Sequence, residues 1–399
     1  MTRRLHRPEN AHQARLLRRL RDDGPHSRAE LADVVPLSKS KLALELDRLV
    51  ELDLIEAAGL AASRGGRRSS IVQLSDTLRF VGIDIGATSV DVAVTNGQLQ
   101  ILGHLSELVD VRQGPTVVLG IALDLVAKLR AEGLAPTVHG VGVGVPGPVS
   151  FRDGVPIVPP IMPGWDHFPV RDMVGQELGC PVLVDNDVNI MALGELHAGT
   201  ARSVQDFLFI KIGTGIGGGV VVGGNLHRGV SGSAGDIGHI RVEEFGPLCS
   251  CGRTGCLEAY FGGAALARDA LAAARSGRSG VLADLLAAQG SLSAVDVGIA
   301  AAAGDSAAVG LVRDGGRRLG EVLASLVSFF NPGLVVIGGG VAGLGHQLLA
   351  EVRGVVYRQS LPLATGNLPI VLSELAGDAG VIGGARLISD AVFSREAPP

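Results

Sequence analysis

The sequence predicts a small head of three helices and a strand–turn–strand unit, followed by a body of two α/β lobes built to one plan. Three observations carry this prediction. Residues 11–50 hold three stretches with apolar residues near helical spacing, two of them behind a capping serine. Two later segments, GIDIGATSVDVAV and FIKIGTGIGGGVVV, look like related strand–turn–strand units. The composition agrees: 46% hydrophobic, 19% charged and 58 glycines suit buried parallel strands joined by Gly-rich loops better than helical bundles.

In the head, AHQARLLRRLRD (11–22) places Ala14, Leu16, Leu17 and Leu20 at helical positions. Ser27 followed by Glu30 forms a capping box, so a second helix is expected at about 28–34. Ser38 caps a third at about 39–50, with Leu42, Leu44, Leu46, Leu49 and Val50 as its apolar positions. VELDLIEAAG, SRGGRRSS and IVQL then read as strand, turn and strand. This is the pattern of a winged helix-turn-helix. Its recognition helix would present Ser38, Lys39, Ser40 and Lys41 to operator DNA, and Arg64, Arg67 and Arg68 at the wing tip suit phosphate or minor-groove contact. A helical oligomerisation domain with a solvated basic loop is the alternative, though it has no need of a wing.

Charge follows the same division. Residues 1–80 hold 15 Lys and Arg against 11 Asp and Glu, a net +4, whereas the whole chain is −5 and the remainder therefore −9. A basic head on an acidic body confines nucleic-acid contact to the head. Four cysteines, three of them clustered, argue against a secreted disulfide framework. The basic N-terminus lacks the apolar core of a signal peptide. The most apolar run, LGEVLASLVSFFNPGLVVIGGGV, is broken by Glu321 and Asn331-Pro332 and reads as helix, turn and buried strand. A soluble, cytoplasmic protein with no membrane partner is expected.

In the body, RFVGIDIGATSVDVAVTNGQLQILGHL reads as two strands around a turn centred on Asp84, Gly86 and Thr88. Such a turn can hold Mg²⁺ through its carboxylate and approach phosphate through backbone N–H groups, but turns between strands also use Asp and Gly for geometry alone. VHGVGVGVPGPV is a buried strand running into a Gly/Pro loop. CPVLVDNDVNIMALGELHAG is strand, polar loop and helix, and NPGLVVIGGGVAG is a further strand and Gly-rich turn. Together these describe an actin/hexokinase-like ATPase fold, with expected boundaries of 1–75 for the head, 80–190 for the first lobe and 191–375 for the second. The C-terminal helix 376–395 completes the first lobe.

The winged helix, the DxGxT turn, the NDxN loop, the GTGIGGG turn and the segment from Gly238-His239 through Cys249-x-Cys251-Gly-x-x-Gly-Cys256-x-Glu258 jointly resemble the ROK family of repressors, open reading frames and sugar kinases. The resemblance spans nearly the whole chain. It implies a sugar cleft using Asn186, Asp187, Asp236, His239 and Glu258. Asp187 would be the general base in a kinase of this family; taken alone, it could equally cap the following helix. The resemblance also implies a nucleotide site from Asp84, Gly86, Thr88, Gly213, Thr214, Gly215, Gly338, Gly339 and Gly340, whose glycines tight turns would explain as well.

Cys249, Cys251 and Cys256 with His239 supply one nitrogen and three sulfurs, the donor set of a closed structural zinc site. Redox chemistry and free core cysteines are the alternatives; the first lacks a thioredoxin-like context. His239 could bind zinc and turn its other ring nitrogen toward a sugar hydroxyl. Cys180 stands alone and reads as core.

The chain departs from the family's kinases at the cleft. Ile161-Met162 stand before PGW where kinases carry Asn-Leu, Asp236 replaces Glu, Ala87 replaces Gly and Ser89 replaces Lys. A lost amide and a shortened carboxylate point to a different sugar and away from tight glucose phosphorylation, while Ser89 and Ala87 weaken ATP/Mg²⁺ binding without abolishing it. The reading is a sugar-responsive regulator, a repressor of carbohydrate metabolism, acting as a homodimer or homotetramer on operator DNA. The alternative is an ATP-dependent sugar kinase with an added DNA-binding head.

Overall fold

The computed structural model describes residues 7–60 and 70–395, and divides them into two units: one from the N-terminus to His197 together with Gly380 onward, the other Ala198–Ala379. The first unit begins with helix α1 (Ala11–Asp23), strand β1 (His26–Ser27), helices α2 (Arg28–Val34) and α3 (Lys39–Glu51), and strands β2 (Ile55–Leu60) and β3 (Ser70–Leu74). Each helix starts where a side chain satisfies orphan amides: Asn10 accepts from His12 and Gln13, Ser27 and Glu30 cap each other's backbone, and Ser38 accepts from Lys41. The sheet has three strands, β1-β3-β2, rather than the two read from the sequence, because His26 and Ser27 pair with Val72 and Ile71.

Leu16, Leu17 and Leu20 of α1 and Leu42, Leu46 and Leu49 of α3 are fully or nearly buried. Leu44 and Val50, expected to share that core, are 68% and 47% exposed. Helical geometry explains the correction: Leu42, Leu46 and Leu49 form one stripe, and Leu44 lies about 200° around the helix from Leu42.

Next come β4 (Phe80–Ile85), β5 (Ser89–Thr95), β6 (Ile101–Leu108), α4 (Pro115–Ala131), β7 (Gly140–Val145), β8 (Val149–Ser150), β9 (Val155–Pro156), α5 (Val170–Leu178), β10 (Val182–Asn186) and α6 (Asp187–Ala198). The segment expected to give two strands gives three, since Asn96–Gln100 turn the chain back into β6. Strands β10, β7 and β4 run parallel, and β5 and β6 add antiparallel, in the order β10-β7-β4-β5-β6.

The second unit contains β11 (Phe207–Ile212), β12 (Ile216–Val222), β13 (Asn225–Leu226), α7 (Leu257–Phe261), α8 (Gly263–Arg275), α9 (Gly280–Gln289), α10 (Ala294–Ala302), α11 (Ser306–Phe330), β14 (Leu334–Gly338), α12 (Gly345–Gln359), α13 (Pro362–Thr365) and β15 (Ile370–Leu372). Its sheet runs β13-β12-β11-β14-β15, with β11, β14 and β15 parallel. Read from the outer parallel strand, the two sheets have the same order and the same antiparallel hairpin, so the two halves share one plan. Among the described residues no single helix is long and apolar enough to cross a membrane. The broken apolar run resolves into α11, a left-handed Asn331 and the fully buried β14.

Helix α14 (Asp378–Val392) returns to the first unit's sheet. Gly82 and Gly142 let it approach: a Cβ on them would lie 1.8 Å from the Val381 carbonyl oxygen and 1.9 Å from that of Gly384. Helix α6 packs on the same face, since a Cβ at Gly383 would lie 1.6 Å from the Ile190 carbonyl oxygen. The break between units therefore falls at the end of α6 and not at residue 190.

The head joins this unit through a polar clasp. The side chain of Arg21 is completely buried and donates to Asp390 at 2.7 Å, Ser389 at 2.8 Å and Asp22 at 2.8 Å. Arg386 donates to Asp22 at 3.1 Å and Asp390 at 2.9 Å, and His197, at the last turn of α6, stands 3.5 Å from Asp22. Burial alone would raise the Asp22 carboxyl. Hydrogen bonds from His197 and Arg21, with the charges of Arg21 and Arg386, outweigh it and hold the group well below the usual carboxylate range.

Candidate functional site

The cysteine loop folds as a knot. Cys249 N–H donates to the Arg253 carbonyl at 2.8 Å and Gly252 N–H to the Cys249 carbonyl at 2.9 Å, with Gly252 at φ +84°. Gly255 is also left-handed, and a Cβ there would lie 1.8 Å from the Glu243 carbonyl oxygen. This turn brings the four expected ligands together: one donor atom each from His239, Cys249, Cys251 and Cys256 lie within 4.8 Å of one another.

The spacing fits zinc. Tetrahedral coordination at ordinary Zn–S and Zn–N lengths puts sulfurs about 3.8 Å apart and sulfur and nitrogen about 3.6 Å apart. Cys251 Sγ and Cys256 Sγ are separated by 3.8 Å, and Cys249 Sγ and His239 Nδ1 by 3.5 Å. Burial raises the Cys249 and Cys256 thiols, the latter to about 12. It acts in the same direction on Cys251, where hydrogen bonds from Arg253 outweigh it and bring the thiol down to about 6. A bound cation would hold all three as thiolates. With four protein ligands the centre is closed, so these residues would hold zinc as a structural ion.

The surroundings of the knot are built into the same unit. His239 Nε2, the nitrogen turned away from the sulfurs, lies 3.9 Å from Asp236 Oδ1, so the carboxylate flanks the ring. Glu258 accepts from Ser250 Oγ at 2.9 Å through one oxygen and from the Ile216 N–H at 3.1 Å through the other. It thus ties the cysteine loop to the Gly213–Gly215 turn. Glu243, before the knot, accepts from Tyr260 Oη at 2.5 Å and pairs with Arg318 at 2.8 Å, while Arg318 stacks 3.9 Å over the Tyr260 ring. Nothing in the sequence spacing signalled this second anchor.

In the first unit, Asn186 and Asp187 stand where β10 passes directly into α6 with no intervening loop. The Asn186 side chain is the helix cap: Oδ1 accepts from Val188 N–H at 2.9 Å and Asn189 N–H at 3.3 Å, and Nδ2 donates to the Gly147 carbonyl at 2.9 Å. Both acceptor lone pairs are used, leaving one amide hydrogen for a ligand. Asp187 is 5% exposed and also accepts from Val188 N–H at 2.9 Å. Buried Asp185, not singled out in the sequence, orders the junction by accepting from Asn186 N–H and Asn189 Nδ2, both at 2.8 Å. Met162 is buried and Ile161 packs against the first unit's core.

The two Gly/Thr turns are closed hairpins. Gly86 N–H donates to the Ser89 carbonyl at 2.8 Å, and Gly213 N–H to the Gly215 carbonyl at 2.9 Å. The first amides of α8 already serve the second turn: Gly263 N–H reaches the Gly213 carbonyl and Ala264 N–H that of Thr214. Gly338 and Gly339 are required by packing, since a Cβ on them would lie 2.6 Å from Phe209 Cζ and 2.6 Å from the Ile212 carbonyl oxygen; a Cβ at Gly215 would lie 2.2 Å from Glu258 Oε2, a side-chain end that can move. A Cβ at Gly340 would meet nothing within 4 Å, so that glycine has no packing reason. The carboxylate of Asp84 lies under α14, where a Cβ at Gly380 would approach Oδ2 to 1.9 Å. Ser89 Oγ donates to Asp91 at 3.1 Å.

On the head, Lys39 and Lys41 are exposed at the start of α3, and Ser38 and Ser40 share a hydrogen bond of 3.2 Å. Arg64, Arg67 and Arg68 lie outside the described residues.

The ROK family profile matches residues 80–391. The chain belongs to the ROK family. Within it, a glucokinase from Halalkalibacterium halodurans is 36% identical over 79% of this chain and 97% of its own length. A xylose repressor from Caldicellulosiruptor bescii is 28% identical over 94% of both chains. A solved ROK family transcriptional regulator, described as a homologue of the E. coli MLC protein, superposes with a TM-score of 0.80 at 26% identity, covering 96% of each chain. The glucokinase match thus leaves out about a fifth of this chain, whereas the xylose repressor and the solved regulator cover 94% and 96% of it.

Proposed function

We propose that this ROK protein is a sugar-responsive transcriptional regulator, acting as a repressor of carbohydrate metabolism. The observation that carries this reading is coverage. The relatives matching 94–96% of the chain, head included, are described as repressors or a transcriptional regulator. The head supports it: three capped helices, a small sheet, and a third helix that opens on exposed Lys39 and Lys41. This is a winged helix-turn-helix that docks α3 in the major groove, with Ser38 and Ser40 beside the lysines and Arg64, Arg67 and Arg68 on phosphate. Two copies would read a palindromic operator.

The effector is a monosaccharide. In the first unit Asn186 and Asp187 offer an amide and a carboxylate that suit vicinal hydroxyls; in the second Asp236, His239 and Glu258 offer carboxylates and an imidazole, and zinc would fix the loop carrying His239 and Glu258. Control requires the sugar to prefer one of two conformations of unequal operator affinity, by about 1–3 kcal/mol. Titration of labelled operator with a panel of monosaccharides tests this: one sugar should change operator affinity at least several-fold, and indifference to all of them sinks the effector assignment.

A second reading rests on the 36% identity to a glucokinase and on Asp187, the residue a family kinase would use as base. In it the chain phosphorylates a sugar with ATP/Mg²⁺. Against it stand Ser89 in place of lysine, Ala87 in place of glycine, and Ile161 turned to the core. A coupled ADP-release assay over the same sugars decides: turnover abolished by Asp187→Asn supports the kinase.

A further inference from the structure

Leu44 is an apolar residue that the fold leaves on the outside of α3. It is 68% exposed while Leu42, Leu46 and Leu49 fill the head core. By helical spacing it shares a face with Ser40, four residues earlier, and Lys41, three residues earlier. The polar residues around it are committed elsewhere. Asp47 is paired with Arg28 at 3.1 Å, Arg48 with Glu9 and Glu51 at 2.8 Å each, and Glu45 accepts from Asn10 at 2.9 Å and Gln13 at 2.8 Å. Lys39 and Lys41 have no ion-pair partner among the described residues. On this face of α3 the groups left for a polyanion are therefore Lys41 and Leu44, with Lys39 at the helix start and the exposed Ser40 beside them.

We propose that Leu44 is a specificity residue for DNA, packing on the 5-methyl group of a thymine in the major groove while Lys39 and Lys41 hold the flanking phosphates. The inference rests on the DNA-binding reading above. In the major groove only thymine presents a methyl, and apolar side chains are the groups that contact it. The two lysines supply the charge complementarity that sets this face on a duplex, and they carry no sequence information themselves. A leucine in place of a hydrogen-bonding side chain thus makes the site ask for thymine at one fixed position of each half-site.

The test uses the full-length chain and duplexes selected from a random pool, then replaces each thymine of the selected site with deoxyuridine, which removes only the methyl. One methyl at about 0.8 kcal/mol corresponds to about a 4-fold loss of affinity per half-site. Such a loss is expected at a single symmetry-related position. Leu44→Ala and Leu44→Gln should weaken binding to the parent site and abolish its sensitivity to that substitution. Lys41→Ala should weaken all sequences alike, lower the salt dependence, and keep the sensitivity. Sequence-specific binding in which every deoxyuridine is neutral, or in which Leu44→Ala keeps the sensitivity, overturns this inference and leaves the DNA-binding reading standing. A Leu44→Ala protein whose oligomeric state changes in sedimentation also overturns it, since a second copy then covers the residue. Failure to select or bind any duplex overturns both.

Discussion

Arg21 on the first helix donates to Asp390 on the last, Nη1 to Oδ1 2.7 Å, across 369 residues of chain. This contact and its neighbours fasten the head to the sheet unit. A buried guanidinium is tolerated only when its donors are met, and here Asp22, Asp390 and Ser389 meet them. Arg21→Met removes one charge and leaves Asp22 and Asp390 with Arg386 as their remaining guanidinium. The expected loss is about 2–3 kcal/mol, below the 3–5 kcal/mol of a fully buried pair, because Asp22 and Asp390 remain 36% and 39% exposed. Urea unfolding should show the loss, and limited proteolysis should release the head faster. An unchanged midpoint and cleavage pattern would mean the clasp is incidental.

The same clasp sets a pH response. Asp22 and Asp390 are both held below their ordinary values, Asp390 against burial by the charges of Arg21 and Arg386. A depressed carboxylate contributes stability that is present above the unfolded pKa near 3.8 and lost as pH falls through the folded one. The groups facing it are Arg21, Arg386 and His197. Stability from the clasp should therefore be constant from pH 7 to about 5 and fall below about 4. Asp390→Asn should flatten that fall in urea titrations at pH 3–5, and an identical acid limb in both proteins counts against this origin.

What the sequence revealed and what it hid divide along the range of the interactions. The head helices were legible because their signals are local: Ser27 with Glu30, Ser38 before Lys39, and leucines at i and i+4. The cysteine knot was legible because its ligands from Cys249 to Cys256 are fixed by loop spacing alone. Strand β6 was hidden by its half-exposed, mixed composition. Leu44 was read as core because it is apolar, although its angle on the helix excludes that. The capping bonds of Asn186 were hidden because they depend on β10 running straight into α6 and on Gly147, 39 residues away. Arg21 could not be found at all, since nothing within its own helix announces partners at Ser389 and Asp390.

Removing the metal should be felt beyond the knot. Native protein should carry one zinc per chain by mass spectrometry, and a strong chelator should lower its melting temperature. Cys251→Ser takes away one of three sulfurs and should reduce zinc retention and the protection of residues 239–258 from hydrogen exchange. The Arg318–Glu243–Tyr260 anchor does not use the metal, so the loss should stop short of global unfolding. A metal-free native protein, or a Cys251→Ser chain with unaltered exchange, would sink the structural-zinc assignment.

Glu258 lets the influence of the knot on its neighbour be measured. One oxygen holds Ser250 of the cysteine loop and the other holds Ile216, which follows the Gly213–Gly215 turn. Glu258→Ala deletes both bonds and leaves the Ile216 amide without its acceptor, at an expected cost of about 1.5–3 kcal/mol for hydrogen bonds to a charged group. Glu258→Gln can keep both contacts without the charge: its oxygen accepts from Ile216 N–H, and its NH₂ donates to the Ser250 hydroxyl, which then accepts. It should therefore lose less stability than the alanine variant. If the carboxylate couples the two segments, the alanine variant should release zinc to a colorimetric chelator several times faster and loosen the amides at 213–216 in hydrogen exchange. The glutamine variant should fall between. If zinc release quickens while those amides stay protected, Glu258 supports the metal loop alone, and the link from the knot to the Gly/Thr turn is not carried by this side chain.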